Sequence, residues 1–240
     1  MRGGEGVNYL ESLAKLGVGG AHPGGLKLTK EIVAQQSIDH TTKLLDIGCG
    51  TGQTAAFIAN QYACSVTAMD IHPIMVEKAK QRFLDGEVPI SVVQGNIEQM
   101  CWSEQFDIVL SESVLAFTNI SKSLTSIRNV LKCNGCFLAV EIMVDESVGE
   151  SDKHAIASFY GFRHLLTETE WREKLSQSSF KQINIEQPSL NPLPITIDEA
   201  QDFHFSNSEI DEALDILHQH QALTKRYKEK LPYAVFRCTK

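Results

Sequence analysis

The chain has 240 residues, and 22 Lys and Arg stand against 30 Asp and Glu, a formal net charge of −8. Hydrophobic residues make up 42% and charged residues 22%, ordinary proportions for a chain long enough to bury a core without disulfides or metals. The acidic balance argues against a protein that binds a nucleic-acid backbone mainly by charge. No apolar run of about 18 residues is present to span a membrane, and Met1 to Gly6 is Gly-rich without an apolar signal core. Six cysteines, at 49, 64, 101, 133, 136 and 238, are scattered rather than framed at short spacings. That usage reads as reduced thiols in a reducing cytoplasm. Cys133-Asn-Gly-Cys136 is formally a CxxC, but it has no second pair and no His partner at zinc spacing, so no metal is expected.

In chain order, Asn8 to Leu16 places Leu10, Leu13 and Leu16 at helical spacing. Residues 17–25 hold five glycines and one proline, which dictates a loop. Leu26 to Gln36 resumes a helical pattern. Leu44 to Ile47 is a short apolar run ending in glycines, hence a buried strand, and Gln53 to Ala63 is a helix. Val66 to Met69 is a strand closed by Asp70, Ile74 to Leu84 a helix, and Ile90 to Val93 and Phe106 to Leu110 further strands. Ile120, Leu124, Ile127 and Leu131 mark a helix, and Phe137 to Ile142 is strand again. Strands alternating with helices over short links are the signature of a parallel sheet covered on both faces. After Val144 the rhythm loosens. Thr167-x-x-Glu170 is a capping-box signal for a helix to about Gln177, Ile183 to Ile185 reads as strand, Ser208-x-x-Asp211 opens a helix ending before Pro232, and Tyr233 to Arg237 closes as a strand. With no repeat and no clear linker, one domain over 1–240 is expected.

The feature that carries chemistry is Leu44-Leu-Asp-Ile-Gly-Cys-Gly-Thr-Gly-Gln-Thr54, at the junction of the first strand and the helix after it. Ligands of doubly wound sheets bind beyond the carboxyl ends of the strands, where glycines let the backbone approach them. Gly48, Gly50 and Gly52 form G-x-G-x-G; position 53 is Gln, so the third glycine of a dinucleotide fingerprint is missing. Asp70, 18 residues past Gly52, can accept both hydroxyls of a ribose. The pattern points to an adenosine-type nucleoside with little or no phosphate.

Asp46-Ile-Gly-Cys-Gly-Thr-Gly52, Val66-Thr-Ala-Met-Asp-Ile71, Gln94-Gly-Asn-Ile97, Phe106-Asp-Ile-Val-Leu-Ser-Glu112 and Leu131-Lys-Cys-Asn-Gly-Cys136 together resemble the class I S-adenosylmethionine-dependent methyltransferases, most fully over about residues 40–145. The resemblance implies an α/β fold: a doubly wound, mostly parallel seven-stranded sheet with an antiparallel last strand and helices on both faces. It also divides the domain into an N-terminal helical, Gly-rich lid (1–40), a cofactor-binding core (41–145) and a C-terminal part with substrate-side insertions (146–240). The implied cofactor is S-adenosyl-L-methionine. By the resemblance, Gly48, Cys49, Gly50, Gly52 and Gln53 line its methionine part, with Asp46 reaching the amino group. Asp70 holds the ribose, Ile71 covers one face of the adenine, Asn96 faces the exocyclic amine and Ile97 offers its N–H. Asn96 stands where the family often has Asp; as a residue beside Gly95 it is also a natural turn former.

Ser111 to Phe117 then lies next to the transferable methyl. There Glu112 positions an acceptor or neutralises an ammonium, unless it is a solvated loop carboxylate or a second contact to the methionine end. Phe117 forms an apolar wall. His22 in its glycine loop is expected to face the methyl or the acceptor under the lid, against a plain alternative of a solvent-facing imidazole. Tyr9 joins the same cover. Tyr160, within the aromatic run from His154 to His164, supplies a far wall or else packs in the core. The resulting expectation is methyl transfer to a small molecule by a monomer or homodimer. A protein or RNA methyltransferase with the same core, a non-catalytic binder of the cofactor, and a nicotinamide dehydrogenase on the same sheet are the alternatives. Low basicity and the missing glycine weigh against RNA and nicotinamide.

Overall fold

The structure is a computed structural model and describes residues 22–84, 89–102, 105–188, 218–227 and 229–240. Among the described residues seven strands form one sheet: β1 (Lys43–Ile47), β2 (Ser65–Asp70), β3 (Ser91–Gln94), β4 (Phe106–Glu112), β5 (Leu131–Ile142), β6 (Lys181–Glu186) and β7 (Tyr233–Thr239), in the order β3-β2-β1-β4-β5-β7-β6. β1 to β5 pair in parallel, while β7 runs antiparallel between β5 and β6. This is the mostly parallel sheet with an antiparallel last strand that the sequence implies.

The central strands are buried on both faces, as their continuous apolar runs require. One face packs under α1 (Gly25–Val33) and α2 (Gln53–Tyr62): Leu28, Ile32, Val33, Ala55, Ile58 and Ala59 meet Leu44, Val66, Leu110 and Val140. α3 (Pro73–Leu84) reaches the same cluster through Phe83. The other face packs under α4 (Ile120–Val130) and α6 (Glu168–Gln177), with Leu124, Ile127, Trp171 and Leu175 over Leu45, Val109, Phe137 and Phe236. Between β5 and α6 lies α5 (Glu150–Tyr160), and residues 218–226 are helical before β7.

Some boundaries shift. The glycine loop ends earlier than expected, because Gly24 in the left-handed region (φ 83°) serves as N-cap and Gly25 already opens α1. The strand expected from Phe137 begins at Leu131 instead, and a left-handed Asn134 (φ 62°) interrupts its first half. α5 has no counterpart among the expected helices: only Ile156 and Tyr160 of its eleven residues are buried, too sparse a stripe to read as periodic. The expected helix at residues 8–16 and residues 208–217 of the later one lie outside the described residues.

The expected capping box opens α6. The Thr167 hydroxyl accepts the Glu170 N–H at 3.3 Å while a Glu170 carboxylate oxygen accepts the Thr167 N–H at 2.8 Å. Thr167→Ala removes one arm and should lower the urea midpoint by the equivalent of about 1 kcal/mol without changing the slope. An unchanged midpoint would show that tertiary packing of Trp171 alone holds the start of the helix.

Candidate active site

Chain leaving the carboxyl end of β1 is turned sharply toward β2. The Met69 carbonyl accepts both the Gly48 and the Cys49 N–H, at 2.7 and 3.0 Å. Gly48, Gly50 and Gly52 have φ of 68°, 53° and 80°, conformations that cost an L side chain strain. Two of them are also closed sterically. A Cβ at Gly48 would lie 2.3 Å from Val114 Cγ2, and one at Gly52 would lie 2.4 Å from Phe83 Cζ. Gly50 is different, because nothing lies within 4 Å of where its Cβ would be. Its left-handed backbone borders open space, as a loop that receives a ligand requires. Asp70, at the end of β2, accepts the Gly50 N–H at 2.9 Å and the His72 N–H at 2.8 Å. Burial raises its pKa above the ordinary carboxylate value, and those two N–H groups oppose the rise.

Around this loop, buried polar atoms lack protein partners. Asp46 Oδ2, Gln53 Oε1 and Ser111 Oγ are all buried with no hydrogen-bond partner. Native interiors leave few such atoms, and three at one strand junction call for a ligand with donor groups. Burial first, then the neighbouring Glu112 and Asp70, push Asp46 well above the usual carboxylate range. The same burial, reinforced by Asp46 and Asp70, pushes the Cys49 thiol up, so Cys49 is a small neutral residue here and no thiolate nucleophile. Ile71 leaves 64% of its surface exposed at the edge of the loop, a large apolar side chain available to cover a planar base.

The Asn96 side-chain oxygen accepts the Glu98 N–H at 2.9 Å and caps the one-turn helix Ile97–Gln99. The turn-forming role is thus present, and an amide oxygen with two lone pairs leaves it compatible with a second donor. Ile97 sends its side chain into the core beside Met69 and Leu115.

His22 and Glu112 are brought together, on the face of the sheet that carries α1 and α2. Glu112 Oε1 accepts the Thr29 hydroxyl at 2.6 Å, and Oε2 accepts the Thr54 hydroxyl at 2.8 Å. His22 Nε2 lies 3.3 Å from Oε2, with side-chain exposures of only 4% for His22 and 8% for Glu112. His22 Nδ1 donates toward the Pro23 carbonyl at 3.2 Å. Neither a solvated Glu112 nor a solvent-facing His22 survives this geometry. Phe117 stands edge-on to Phe162, with centroids 5.0 Å apart, and Phe162 stacks on Tyr160 at 4.9 Å. The Tyr160 hydroxyl pairs with His220 Nδ1 at 3.0 Å, so Tyr160 is largely a core residue behind that wall. Tyr9 and the rest of the lid segment through residue 21 lie outside the described residues.

Glu141 was not among the expected site residues. It is fully buried on β5, next to Val140, which pairs in register with Glu112. Its Oε1 accepts the N–H groups of Val114 and Leu115 at 3.2 and 3.0 Å, and its Oε2 has no partner. Burial pushes its pKa up to about 8 against the pull of those N–H groups and that of Ala116. A carboxylate closing an otherwise apolar strand run, Phe137 to Ile142, is the signal in the sequence that marks it.

A family model described as a methyltransferase domain matches residues 44–135. The chain belongs to the class I S-adenosylmethionine-dependent methyltransferases, with S-adenosylmethionine as the cofactor. Within that class it is 36% identical over 229 residues to a protein named "Uncharacterized methyltransferase YodH" from Bacillus subtilis, covering 95% of this chain and 97% of that one. It is 27% identical over 178 residues to a malonyl-[acyl-carrier protein] O-methyltransferase of Paenibacillus sp., 67% of this chain and 64% of that one. Among solved structures, phosphoethanolamine N-methyltransferase 2 of Haemonchus contortus, in complex with phosphomonomethylethanolamine and S-adenosylhomocysteine, superposes with a TM-score of 0.78 at 19% identity. That superposition covers 96% of this chain and 57% of the longer one, and at this identity it establishes the shared fold alone.

Because folding raises Glu141 above the ordinary glutamate value of about 4.5, its protonated form is the one the fold prefers. Its contribution is fully present below about 4.5 and is lost as pH rises through about 8. Glu141→Gln should therefore gain stability on the wild type between those pH values, with a ceiling of about 5 kcal/mol. Urea unfolding of both proteins at pH 5, 7 and 9 reads this directly; parallel pH profiles would rule out a buried titrating Glu141.

Proposed function

We propose that this protein transfers the methyl group of S-adenosylmethionine to a small-molecule acceptor by direct displacement, as a single-domain cytoplasmic enzyme. The observation that carries the reading is the ring of unsatisfied buried acceptors at the β1–β4 junction. Asp46 Oδ2 and Gln53 Oε1 face the glycine turn without donors, and Asp70 stands across it at the end of β2. A ligand bearing an ammonium, ribose hydroxyls and a positive sulfur supplies donors to those atoms. It also relieves the crowding of Asp46 by Glu112 and Asp70.

Asp46 and Gln53 would hold the methionine end, Asp70 the ribose, and Ile71 one face of the base. When bound, the cofactor supplies an electrophilic methyl group on a sulfonium whose thioether leaves without a proton. The protein's task is then alignment and the exclusion of water. Phe117, backed by Phe162 and Tyr160, offers the acceptor an apolar wall. The His22–Glu112 pair is held by two threonine hydroxyls and shielded from solvent. It can accept or relay a proton from an acceptor protonated at working pH. Small-molecule over RNA acceptors is supported by the net charge of −8. Six thiols with no disulfide among the described ones support a reducing compartment.

The test is transfer of a labelled methyl group from S-adenosylmethionine into a bacterial extract separated into low-molecular-weight, protein and RNA fractions. Label is expected in the low-molecular-weight fraction; label confined to protein or RNA would overturn the acceptor class. In parallel, Asp70→Ala should weaken cofactor binding in calorimetry by about 1–3 kcal/mol, the loss of a charged hydrogen-bonding partner. Wild-type affinity in that variant would remove Asp70 from the site.

A further inference from the structure

Between β4 and α4 the chain makes a tight turn that touches both halves of the proposed site. Ser113 enters it in the left-handed region (φ 58°), donating its N–H to the Val140 carbonyl at 2.7 Å. Val114 then places its side chain against Gly48, so close that a Cβ there would collide with it. Leu115 is buried in the core, and the Ala116 carbonyl accepts the N–H groups of Arg163 and His164 at 2.8 and 3.2 Å. Phe117 finishes the turn against Phe162. One end of this five-residue stretch therefore sets the glycine loop, and the other end sets the aromatic wall.

The N–H groups at its centre point inward, away from water, and β5 meets them with a side chain. Glu141 Oε1 accepts from Val114 and Leu115 at once, and Glu141 is fully buried. A turn so short cannot satisfy those donors from its own backbone, and burying them unpaired is costly. An apolar residue would pack in an otherwise apolar strand as well as Glu141 does, so a carboxyl group there has a specific task.

We propose that Glu141 is a positioning residue, whose buried oxygen fixes the turn through Val114 and Leu115 and thereby holds the cofactor loop and the acceptor wall in register. It touches neither ligand; its effect passes through Val114 to Gly48 and through the turn to Phe117. The inference rests on the reading of this junction as the S-adenosylmethionine site. What the turn needs is an acceptor atom rather than a charge. Gln keeps that atom in the same place, whereas Leu keeps the volume and removes it.

Calorimetric titration of the full chain with S-adenosylhomocysteine tests this, alongside thermal unfolding of each variant. Glu141→Leu should bind at least about tenfold more weakly than the wild type, and Glu141→Gln within about threefold of it. Val114→Ala should weaken binding in the wild type but add less than about twofold in the Glu141→Leu background, because both act through one contact. Wild-type affinity in Glu141→Leu overturns the proposal, as does full multiplicative loss in the double variant. If Glu141→Leu does not fold, a folded Glu141→Gln that binds at least about tenfold more weakly overturns it as well. A wild type that does not bind S-adenosylhomocysteine at all would instead remove the cofactor reading beneath it.

Discussion

Everything in this molecule's site hangs on one bend, the left-handed turn that takes the chain from β1 over the end of β2. The Met69 carbonyl accepts two successive N–H groups, from Gly48 and Cys49, and the glycines at 48, 50 and 52 carry the chain around it with positive φ. Once the bend is set, consequences follow in order. Gly52 packs against α3 through Phe83, and Gly48 against the turn after β4 through Val114. Gly50 is left facing open space with its N–H on Asp70. Sterics on two glycines and emptiness at the third make a cradle.

The sheet divides its charged groups between its two faces. Asp46 and Glu112 share the face covered by α1 and α2, where threonine hydroxyls and His22 meet Glu112. Glu141 lies on the other face, beneath the turn that leads to Phe117. Buried carboxylates crowded at strand ends oppose folding unless hydrogen bonds or a positive ligand offset them. Glu112 is offset by threonine hydroxyls and His22, whereas Asp46 and Glu141 each keep one oxygen unmatched. Glu141 differs from Asp46 in that its other oxygen already holds two backbone N–H groups of the turn after β4.

The cofactor half was legible in the sequence because its determinants are local. A buried strand announces itself by an unbroken apolar run, the bend by glycines at 48, 50 and 52, and Asp70 by its place at a strand end. The parallel pairing of β1 to β5 follows from strand–helix alternation, and the capping box at Thr167 from two residues three apart. What was not legible is set by contacts distant in sequence. Glu112 reads as a loop carboxylate until α1 brings Thr29 across 83 positions to meet it. Asn96 matches a cofactor motif by position and its oxygen also caps its own turn, a local role that the motif alone does not reveal. Glu141 sits inside an apolar strand, where alternation gives no hint that a turn 26 residues earlier needs an acceptor. The segment from α5 to Phe162, on the proposed acceptor side, lacks the periodicity on which such reading depends.

A crystal structure of the full chain with S-adenosylhomocysteine would test the central claim most directly. The ligand is expected along the Gly48–Gly52 turn, with its ribose on Asp70, its base beside Ile71, and donors satisfying Asp46 Oδ2 and Gln53 Oε1. A ligand bound elsewhere, or bound at this turn with those two oxygens still unpaired, would contradict it.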